Sequence, residues 1–229
     1  MRAAREEGLH TNFEIDRKKF KTLKTEVKNV YLTESEVRAI AALDLSDRRT
    51  YDETRDIFMV GCYTAQRFSD YSRIGKEHIR KLDNGSQVID ITQTKTGERV
   101  IIPIRPELLA ILEKYDYKLP KTYEQKVNSR IKEVVRKAEI TEPVQIEATK
   151  GGLRITTTKP KCDLIKTHTA RRTACTNMYL AGIPTIDIMK ISGHKTEREF
   201  LNYIKVSKEE TALNLANHPY FSTHLKVAK

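Results

Sequence analysis

The sequence has few cysteines and no long apolar segment, and both shortages exclude classes of protein. Cys62, Cys162 and Cys175 form no CxxC pair and no Cys/His pattern with the spacing of a zinc site. We therefore expect neither a disulfide framework nor a bound metal, and we interpret the thiols as small buried side chains. No apolar run approaches the roughly 20 residues that a membrane helix needs, and no signal-peptide pattern opens the chain. These absences predict a soluble, intracellular protein that does not associate with membranes.

Acidic residues are also in short supply relative to basic ones. The chain has 42 Lys and Arg against 31 Asp and Glu, a formal net charge of +11. Such an excess favours a polyanionic partner, and nucleic acid is the default choice. The length of 229 residues is sufficient for one substantial domain with tails.

Helix signals recur along the chain. A Ser or Thr followed three residues later by Glu or Gln, the pattern of a capping box, occurs at Thr33, Thr122, Thr196 and Ser207. Apolar spacing predicts helices over residues 34–44 and 46–63, and Pro106 is expected to open another. Gly182 is expected to end a helix that contains His168, and Pro184 to begin the next one.

From Ile79 to Ile104 the apolar spacing changes to every second residue, which is typical of strands. Asp83-Asn84-Gly85 and Thr94-Lys95-Thr96-Gly97 interrupt this pattern as hairpin turns. The segment therefore predicts three antiparallel strands with Lys95 at the tip of the second hairpin. A separate pair of strands is predicted between Val144 and Thr158, where a double glycine supplies the turn.

Residues 168–203 contain the side chains needed to bind a phosphodiester and attack it. His168 and Arg171 are three residues apart, on one face of a helical turn, and they combine a proton carrier with a planar cation that matches two phosphate oxygens. His194 follows Gly193 on the loop before the Thr196 helix, and Tyr203 is expected about two turns into that helix. A phenol is a poor nucleophile unless cations and hydrogen bonds stabilise its anion. Each feature alone also has an ordinary structural interpretation, in the core or at a helix end.

The order and spacing of these residues resemble the second conserved box of tyrosine recombinases, the phage integrase family. In that family His-x-x-Arg is followed by Gly-His and, nine residues beyond that histidine, by the nucleophilic tyrosine; His194 and Tyr203 have this separation. Arg67, followed by Asp70, resembles the arginine of the first box, although the two could instead form a surface ion pair. Lys95 matches the lysine on the turn between the second and third strands.

The resemblance implies a mostly helical α+β fold, the catalytic domain of DNA breaking-rejoining enzymes, with a small three-stranded antiparallel sheet. It also implies a site-specific recombinase or integrase that forms a 3′-phosphotyrosyl intermediate without ATP, metal or another cofactor. The catalytic residues would be Arg67, Lys95, His168, Arg171, His194 and Tyr203, with Tyr203 as nucleophile. The alternatives are a type IB topoisomerase-like nicking and closing activity, and a DNA-binding protein that has lost catalysis.

Further expectations concern DNA contacts, partners and domains. The residues expected to contact DNA are Lys95, Arg99, Lys150, Arg154, Arg172 and Lys195. The expected partner is double-stranded DNA, on which the protein would form a homo-oligomer, a tetramer, in the bacterial cytoplasm at the nucleoid. We divide the chain into a basic arm or linker over 1–30, a catalytic domain over 31–206, and a C-terminal helix and tail over 207–229 that docks on its own protomer or on a neighbour. Since relatives carry a helical core-binding domain before the catalytic one, the arm could include the end of such a domain, and the chain would then be a catalytic fragment.

Overall fold

The computed structural model describes residues 2–11, 30–150, 153–204, 206, 208–216 and 218–222. The helices are α1 (Arg2–Glu6), α2 (Glu34–Ala41), α3 (Arg49–Thr64), α4 (Phe68–Tyr71), α5 (Pro106–Lys114), α6 (Glu124–Lys137), α7 (Thr167–Leu180), α8 (Thr185–Ser192), α9 (Glu197–Leu201), α10 (Lys208–Ala216) and α11 (Pro219–Ser222). The strands are β1 (Ile79–Lys81), β2 (Gln87–Thr92), β3 (Arg99–Pro103), β4 (Pro143–Lys150) and β5 (Leu153–Pro160).

The chain divides into two compact units. The smaller unit draws on residues 1–28 and 145–158, and the larger on 29–144 and 159–229. Strands β4 and β5 pair with each other, as the sequence predicts. Most of the predicted basic arm, residues 12–29, lies outside the described residues, as do Ser207 with its predicted cap and the double glycine at 151–152.

The larger unit is built around α3, which packs against α2, α5, α6 and α7. Its side chains Ile57, Phe58 and Val60 are all buried. The helix begins at Arg49 rather than Ser46, and in the preceding turn the backbone N–H of Ser46 donates to the Asp44 carboxylate. All three cysteines are buried and unbridged, as predicted.

Two of the predicted capping boxes have opposite outcomes. At Thr33 both reciprocal hydrogen bonds with Glu36 are present, so this prediction is confirmed. At Thr122 the prediction is wrong, because α6 begins one residue later with Tyr123 at the cap position and no side-chain cap. The first turn of α6 makes a tertiary contact instead, since the carboxylate of Glu124 accepts from Thr167 Oγ1 at the start of α7.

The predicted three-stranded antiparallel sheet is present, with β2 in the centre. Its register pairs Ile89 with Ile102 and Ile91 with Val100. These four side chains are buried in a core cluster that also contains residues of α3, α5 and α6. The sheet thereby fixes the position of the turn between β2 and β3, which carries Lys95.

Another core cluster lies where α7, α8 and α9 meet. Its buried members are Ala65, Ala174, Cys175, Ile188 and Phe200, and Tyr203 packs against them. Tyr203 was predicted to lie on the Thr196 helix, and this is wrong. The helix ends at Leu201, and the backbone N–H of Tyr203 donates to the Phe200 carbonyl in a tighter turn beyond it.

Candidate active site

Arg171 is the centre of the candidate site and has no exposed surface. From the second turn of α7 its Nη1 donates to the carbonyl oxygens of Ala65 and Ser192, both at 2.8 Å. Its Nη2 lies 3.0 Å from Nε2 of His194. Burial lowers the pKa of the guanidinium from its usual value, but an arginine remains a donor at any accessible pH. The side chain is therefore held in one orientation by groups from two separate segments, the end of α3 and the turn after α8.

The hydrogen bonds of His194 define its tautomer. Because Arg171 can only donate, Nε2 of His194 must accept from it. Ser192 Oγ donates to the Ile188 carbonyl at 2.7 Å, so it accepts from Nδ1–H of His194, also at 2.7 Å. Burial, followed by the charges of Arg171 and Arg67, lowers the pKa of His194 to about 3. The ring is thus neutral, with its proton on Nδ1.

The ring of Tyr203 lies among the three other residues of the second box. Its centroid is 4.6 Å from that of His194 and 5.2 Å from that of His168. The guanidinium carbon of Arg171 lies 5.5 Å from the same centroid. Thr176 Oγ1 on α7 donates to the Tyr203 carbonyl at 3.3 Å and fixes the backbone at this position. One chain therefore brings His168, Arg171, His194 and Tyr203 together.

His168 stands in the first turn of α7 with an exposed edge. Desolvation by the surrounding protein, and then the charges of Arg172 and Arg171, lower its pKa to about 4. At neutral pH the imidazole is consequently unprotonated and has a lone pair available to accept a proton.

Arg67 approaches the site from the cap position of α4. Its Nη1 donates to the side-chain oxygen of Gln93 at 3.0 Å. The alternative of an exposed ion pair with Asp70 does not apply, because Asp70 is fully buried and accepts from the backbone N–H of Thr94 at 2.8 Å. Asp70 therefore orients the backbone of the β2–β3 turn.

Lys95 lies on that turn and is exposed. Two hydrogen bonds fix the base of the turn. Asp70 accepts from the backbone N–H of Thr94, and the Gln93 side chain accepts from Thr96 Oγ1 at 2.7 Å. Arg99 lies at the start of β3 and binds Asp90 through two hydrogen bonds, of 2.8 and 2.6 Å. These bonds occupy Arg99, which leaves Lys95 as the cation at the tip.

Among the residues that the structure describes, no carboxylate forms an ion pair with Arg67 or Arg171. Nε of Arg171 is buried and has no hydrogen-bond partner among the described residues. Buried arginines are usually paired, so this arrangement favours an anionic ligand.

The other candidate DNA contacts differ in exposure. Lys195 is exposed, with its Nζ 3.8 Å from a carboxylate oxygen of Glu98. Arg172 is only 8% exposed, and its Nη1 donates to the Val30 carbonyl, so its position favours a structural role over the predicted DNA contact. The side chains of Lys150 and Arg154 lie outside the described residues.

The sequence analysis missed Gln93, Gln66 and Ser192, whose side chains connect the site residues. One signal was available for Gln93. It follows Ile89 and Ile91 at the two-residue spacing of a strand, so alternation directs it toward the core. A buried amide requires hydrogen-bond partners, which marks the position as unusual.

None of the helices within the described residues has both the length and the apolar character needed to cross a membrane.

Comparisons with known proteins agree with this geometry. The model of the phage integrase family matches residues 30–210. No curated protein sequence matches the chain. Among solved structures, XerA recombinase aligns with a TM-score of 0.58 at 17% identity, over 82% of this chain and 65% of that one. A lambda integrase dimer bound to a COC′ core site aligns with a TM-score of 0.61 at 18% identity, over 88% and 68%. The catalytic domain of bacteriophage HP1 integrase aligns with a TM-score of 0.52 at 19% identity, over 86% and 100%.

At these identities the structural likeness establishes the fold alone, and the chain spans about two thirds of XerA. The fold is the mostly helical α+β architecture with a small antiparallel sheet that the sequence predicted. The family model covers most of the chain, including Arg67, His168, Arg171, His194 and Tyr203. The chain therefore belongs to the phage integrase family.

Proposed function

We propose that the protein is a site-specific DNA recombinase that cleaves and rejoins DNA through a 3′-phosphotyrosyl intermediate on Tyr203. One observation carries the proposal. The Tyr203 ring lies against Arg171, His194 and His168, and no described carboxylate neutralises the arginines. A phenol in such surroundings is suited to attack a phosphodiester, whose negative charge would supply the missing counterion.

In the proposed reaction, the Tyr203 oxygen forms a bond to the scissile phosphorus while the bond from phosphorus to the 5′-oxygen breaks. His168 accepts the phenol proton, a role supported by its pKa of about 4, which keeps the ring unprotonated before DNA binds. Lys95 gives a proton to the departing 5′-oxygen. A 5′-hydroxyl then attacks the phosphotyrosine in the reverse sense, so the number of phosphodiester bonds is conserved and neither ATP nor a metal is consumed.

Arg67 and Arg171 are assigned to the two non-bridging oxygens, where negative charge increases in the transition state. Burial strengthens this electrostatic effect because little water is present to screen it. His194 is assigned to a hydrogen bond with the same phosphate. The phosphate can only accept, so His194 must donate to it. Either the phosphate takes the place of Ser192 Oγ at Nδ1–H, or the ring proton moves to Nε2 and the phosphate takes the place of Arg171.

We further propose double-stranded DNA as the partner, assembly as a tetramer on DNA, and a bacterial cytoplasmic, nucleoid-associated location. The lambda integrase structure is that of a dimer bound to a core site, which supports a DNA-bound oligomer. Lys95, Arg99, Lys195 and the basic β4–β5 strands are the candidate DNA contacts. The catalytic domain is assigned to residues 31–206, flanked by a basic arm and a C-terminal helix with its tail. No observation favours a topoisomerase-like activity.

The test is covalent capture. The protein is incubated with nicked duplexes of candidate attachment sequences in the presence of EDTA, and adducts are resolved on denaturing gels. We expect an adduct with the wild-type protein and none with Tyr203→Phe. An adduct that persists in Tyr203→Phe, or one that appears only when magnesium is added, would overturn the proposal.

A further inference from the structure

Gln93 lies one residue beyond β2 and is 1% exposed. Its Oε1 accepts from Arg67 Nη1 at 3.0 Å and from Thr96 Oγ1 at 2.7 Å. Its Nε2 donates to Gln66 Oε1 at 2.6 Å and to the Ser192 carbonyl at 2.8 Å. A primary amide can accept two hydrogen bonds and donate two, so every position on this side chain is used.

The four partners come from three separate parts of the larger unit. Gln66 follows α3, Arg67 precedes α4, Thr96 lies on the turn that carries Lys95, and Ser192 ends α8. The Ser192 carbonyl also accepts from Arg171 Nη1 at 2.8 Å. Gln93 and Arg171 therefore share one acceptor, and the Gln93 amide connects both arginines with the Lys95 turn.

Gly193 shows how closely Gln93 fits against the loop that carries His194. Its φ of +70° suits glycine. A Cβ at this position would also lie 2.6 Å from Nε2 and 2.7 Å from Oε1 of Gln93. The amide cannot move away easily, because four hydrogen bonds fix it. The loop and the side chain are therefore fitted to each other.

We propose that Gln93 is a positioning residue that sets the Arg67 guanidinium and the Lys95 turn relative to the loop of His194. The inference rests on the proposed function, since it assigns Gln93 an effect through two residues of that reaction. A neutral amide suits the task better than a carboxylate. Glutamate could accept from Arg67 and Thr96, but its second oxygen would face the Ser192 carbonyl, which is also an acceptor. Its negative charge would also neutralise the Arg67 charge that the proposed reaction uses to bind the phosphate.

Two substitutions separate the effect of Gln93 on Arg67 from its effect on the Lys95 turn. Gln93→Met retains the length of the side chain and removes all four hydrogen bonds, so it releases both Arg67 and the turn. Thr96→Val is close to isosteric and releases only the turn. Thr54→Val is the matched control, because Thr54 is also buried but bonds only within α3 and contacts no site residue.

The measurements are the single-turnover cleavage rate, the Kd for DNA and the Tm, on ordinary DNA and on DNA with sulfur in place of the scissile 5′-bridging oxygen. A thiolate leaves without a proton from Lys95, so sulfur removes the part of any defect that acts through the turn. We expect Gln93→Met to cleave ordinary DNA roughly 10- to 100-fold more slowly, the equivalent of one hydrogen bond to a charged group, with Kd almost unchanged. We expect Thr96→Val to lose roughly 2- to 10-fold, as for a neutral hydrogen bond.

On the sulfur substrate Thr96→Val should match the wild-type protein, while Gln93→Met should remain slower because Arg67 is still displaced. Full recovery of Gln93→Met on sulfur would overturn the link to Arg67, and a Thr96→Val defect that sulfur leaves unchanged would overturn the link to Lys95. A cleavage rate for Gln93→Met equal to that of the wild-type protein or Thr54→Val, or a loss matched by equal loss of DNA affinity, would overturn the whole inference. If Gln93→Met does not fold at the assay temperature, Thr96→Val still decides the inference, because a rate on ordinary DNA equal to that of the wild-type protein, or a defect that sulfur leaves unchanged, would overturn it.

A different result would overturn the proposed function itself. In that case the wild-type protein forms no adduct, or Tyr203→Phe still forms one, whatever Gln93→Met does.

Discussion

Arg171 and Lys95 belong to the same candidate site but are presented in contrasting ways. Arg171 has no exposed surface and binds two carbonyl oxygens and a histidine. Lys95 is exposed at the tip of a hairpin, and only the base of its turn is tied to the protein. The contrast fits their proposed tasks. Charge stabilisation benefits from groups fixed before the reaction begins, whereas a proton donor must reach an oxygen that moves away as its bond breaks.

The largest effect should come from the fixed cation. Arg171→Ala is expected to slow cleavage on the order of 10³-fold or more, as for other arginines that stabilise phosphoryl transition states. DNA affinity should change far less. The Ala65 carbonyl and His194 Nε2 would lose their donor, whereas the Ser192 carbonyl would keep its hydrogen bond from Gln93. The free energy of unfolding should therefore also fall, by about 1–3 kcal/mol for each buried group left unpaired.

Single-turnover cleavage, DNA titration and thermal unfolding measure the three quantities for Arg171→Ala. Arg136→Ala is a suitable control, since Arg136 forms exposed ion pairs with Glu133 and Asp163 away from the site. Equal losses in rate and affinity would instead make Arg171 a ground-state phosphate contact.

The exposed cation, Lys95, should show a different dependence on the substrate. Lys95→Ala is expected to lose roughly 10²- to 10⁴-fold in cleavage of ordinary DNA, the usual contribution of a positioned acid. Replacement of the 5′-bridging oxygen by sulfur should restore nearly the wild-type rate. The same substrate should not rescue Arg67→Ala or Arg171→Ala, whose partners are the non-bridging oxygens.

Arg99 provides the internal comparison for Lys95. Its guanidinium is bound by Asp90, and the Arg99 charge holds the pKa of that carboxyl at about 2. Sulfur rescue of Arg99→Ala in place of Lys95→Ala would show that the proton donor has been assigned to the wrong residue.

Sequence reasoning succeeded where a local pattern determines the outcome. The Thr33 cap depends on residues three apart, and the strand alternation and turns between Ile79 and Ile104 depend on near neighbours, so each could be read directly. The positions of His168, Arg171, His194 and Tyr203 in one cluster came from a family resemblance rather than from local rules. The geometry of the cluster agrees with that expectation, while the roles of the residues stay predictions.

The failures share a cause, which is tertiary contact. Tyr203 was misplaced on a helix because its packing against the α7–α9 cluster ends that helix early. The first turn of α6, where the Thr122 cap was predicted, contacts α7 through Glu124 and Thr167 instead. Gln93 was overlooked because its partners are distant in sequence, 26 residues away for Arg67 and 99 for Ser192. No pattern within a short window contains such information.

Two glycines test the contrast between the regions at a smaller scale. Gly97, on the Lys95 turn, has a φ of +66° with open space where a Cβ would stand, whereas Gly193 has a φ of +70° and Gln93 in that space. Backbone strain is therefore matched. Gly97→Ala should change the cleavage rate by only about 2-fold, since the strain costs about 1 kcal/mol of folding free energy. Gly193→Ala should lose roughly 10-fold or more, because Gln93 must shift by more than its hydrogen bonds allow. Equal rates in the two variants would mean that the Gln93 contact has no effect on the site.

The histidines should produce a pH dependence in stability. Burial lowers the pKa of His194 to about 3, below the value of about 6.5 for an unfolded chain. Between these values the unfolded chain binds more protons than the folded one, so the free energy of unfolding should fall as the pH decreases from 6.5 toward 3. His194→Gln should reduce this slope in denaturant titrations across the same range, and an unchanged slope would contradict the neutral, buried ring.

The same pKa values predict the smallest effect, a nearly flat rate profile. The pH dependence of kcat/KM reports groups of the free enzyme, and there the pKa of His168 is about 4 and that of His194 about 3. Both rings are already neutral at pH 5.5, so between pH 5.5 and 7.5 they should change kcat/KM for cleavage by less than about 2-fold. A fall in rate with a midpoint near 6.5 that disappears in His168→Gln would show that this histidine titrates as an exposed one does. In that case the desolvation and the charges of Arg172 and Arg171 would not keep His168 ready to accept the Tyr203 proton.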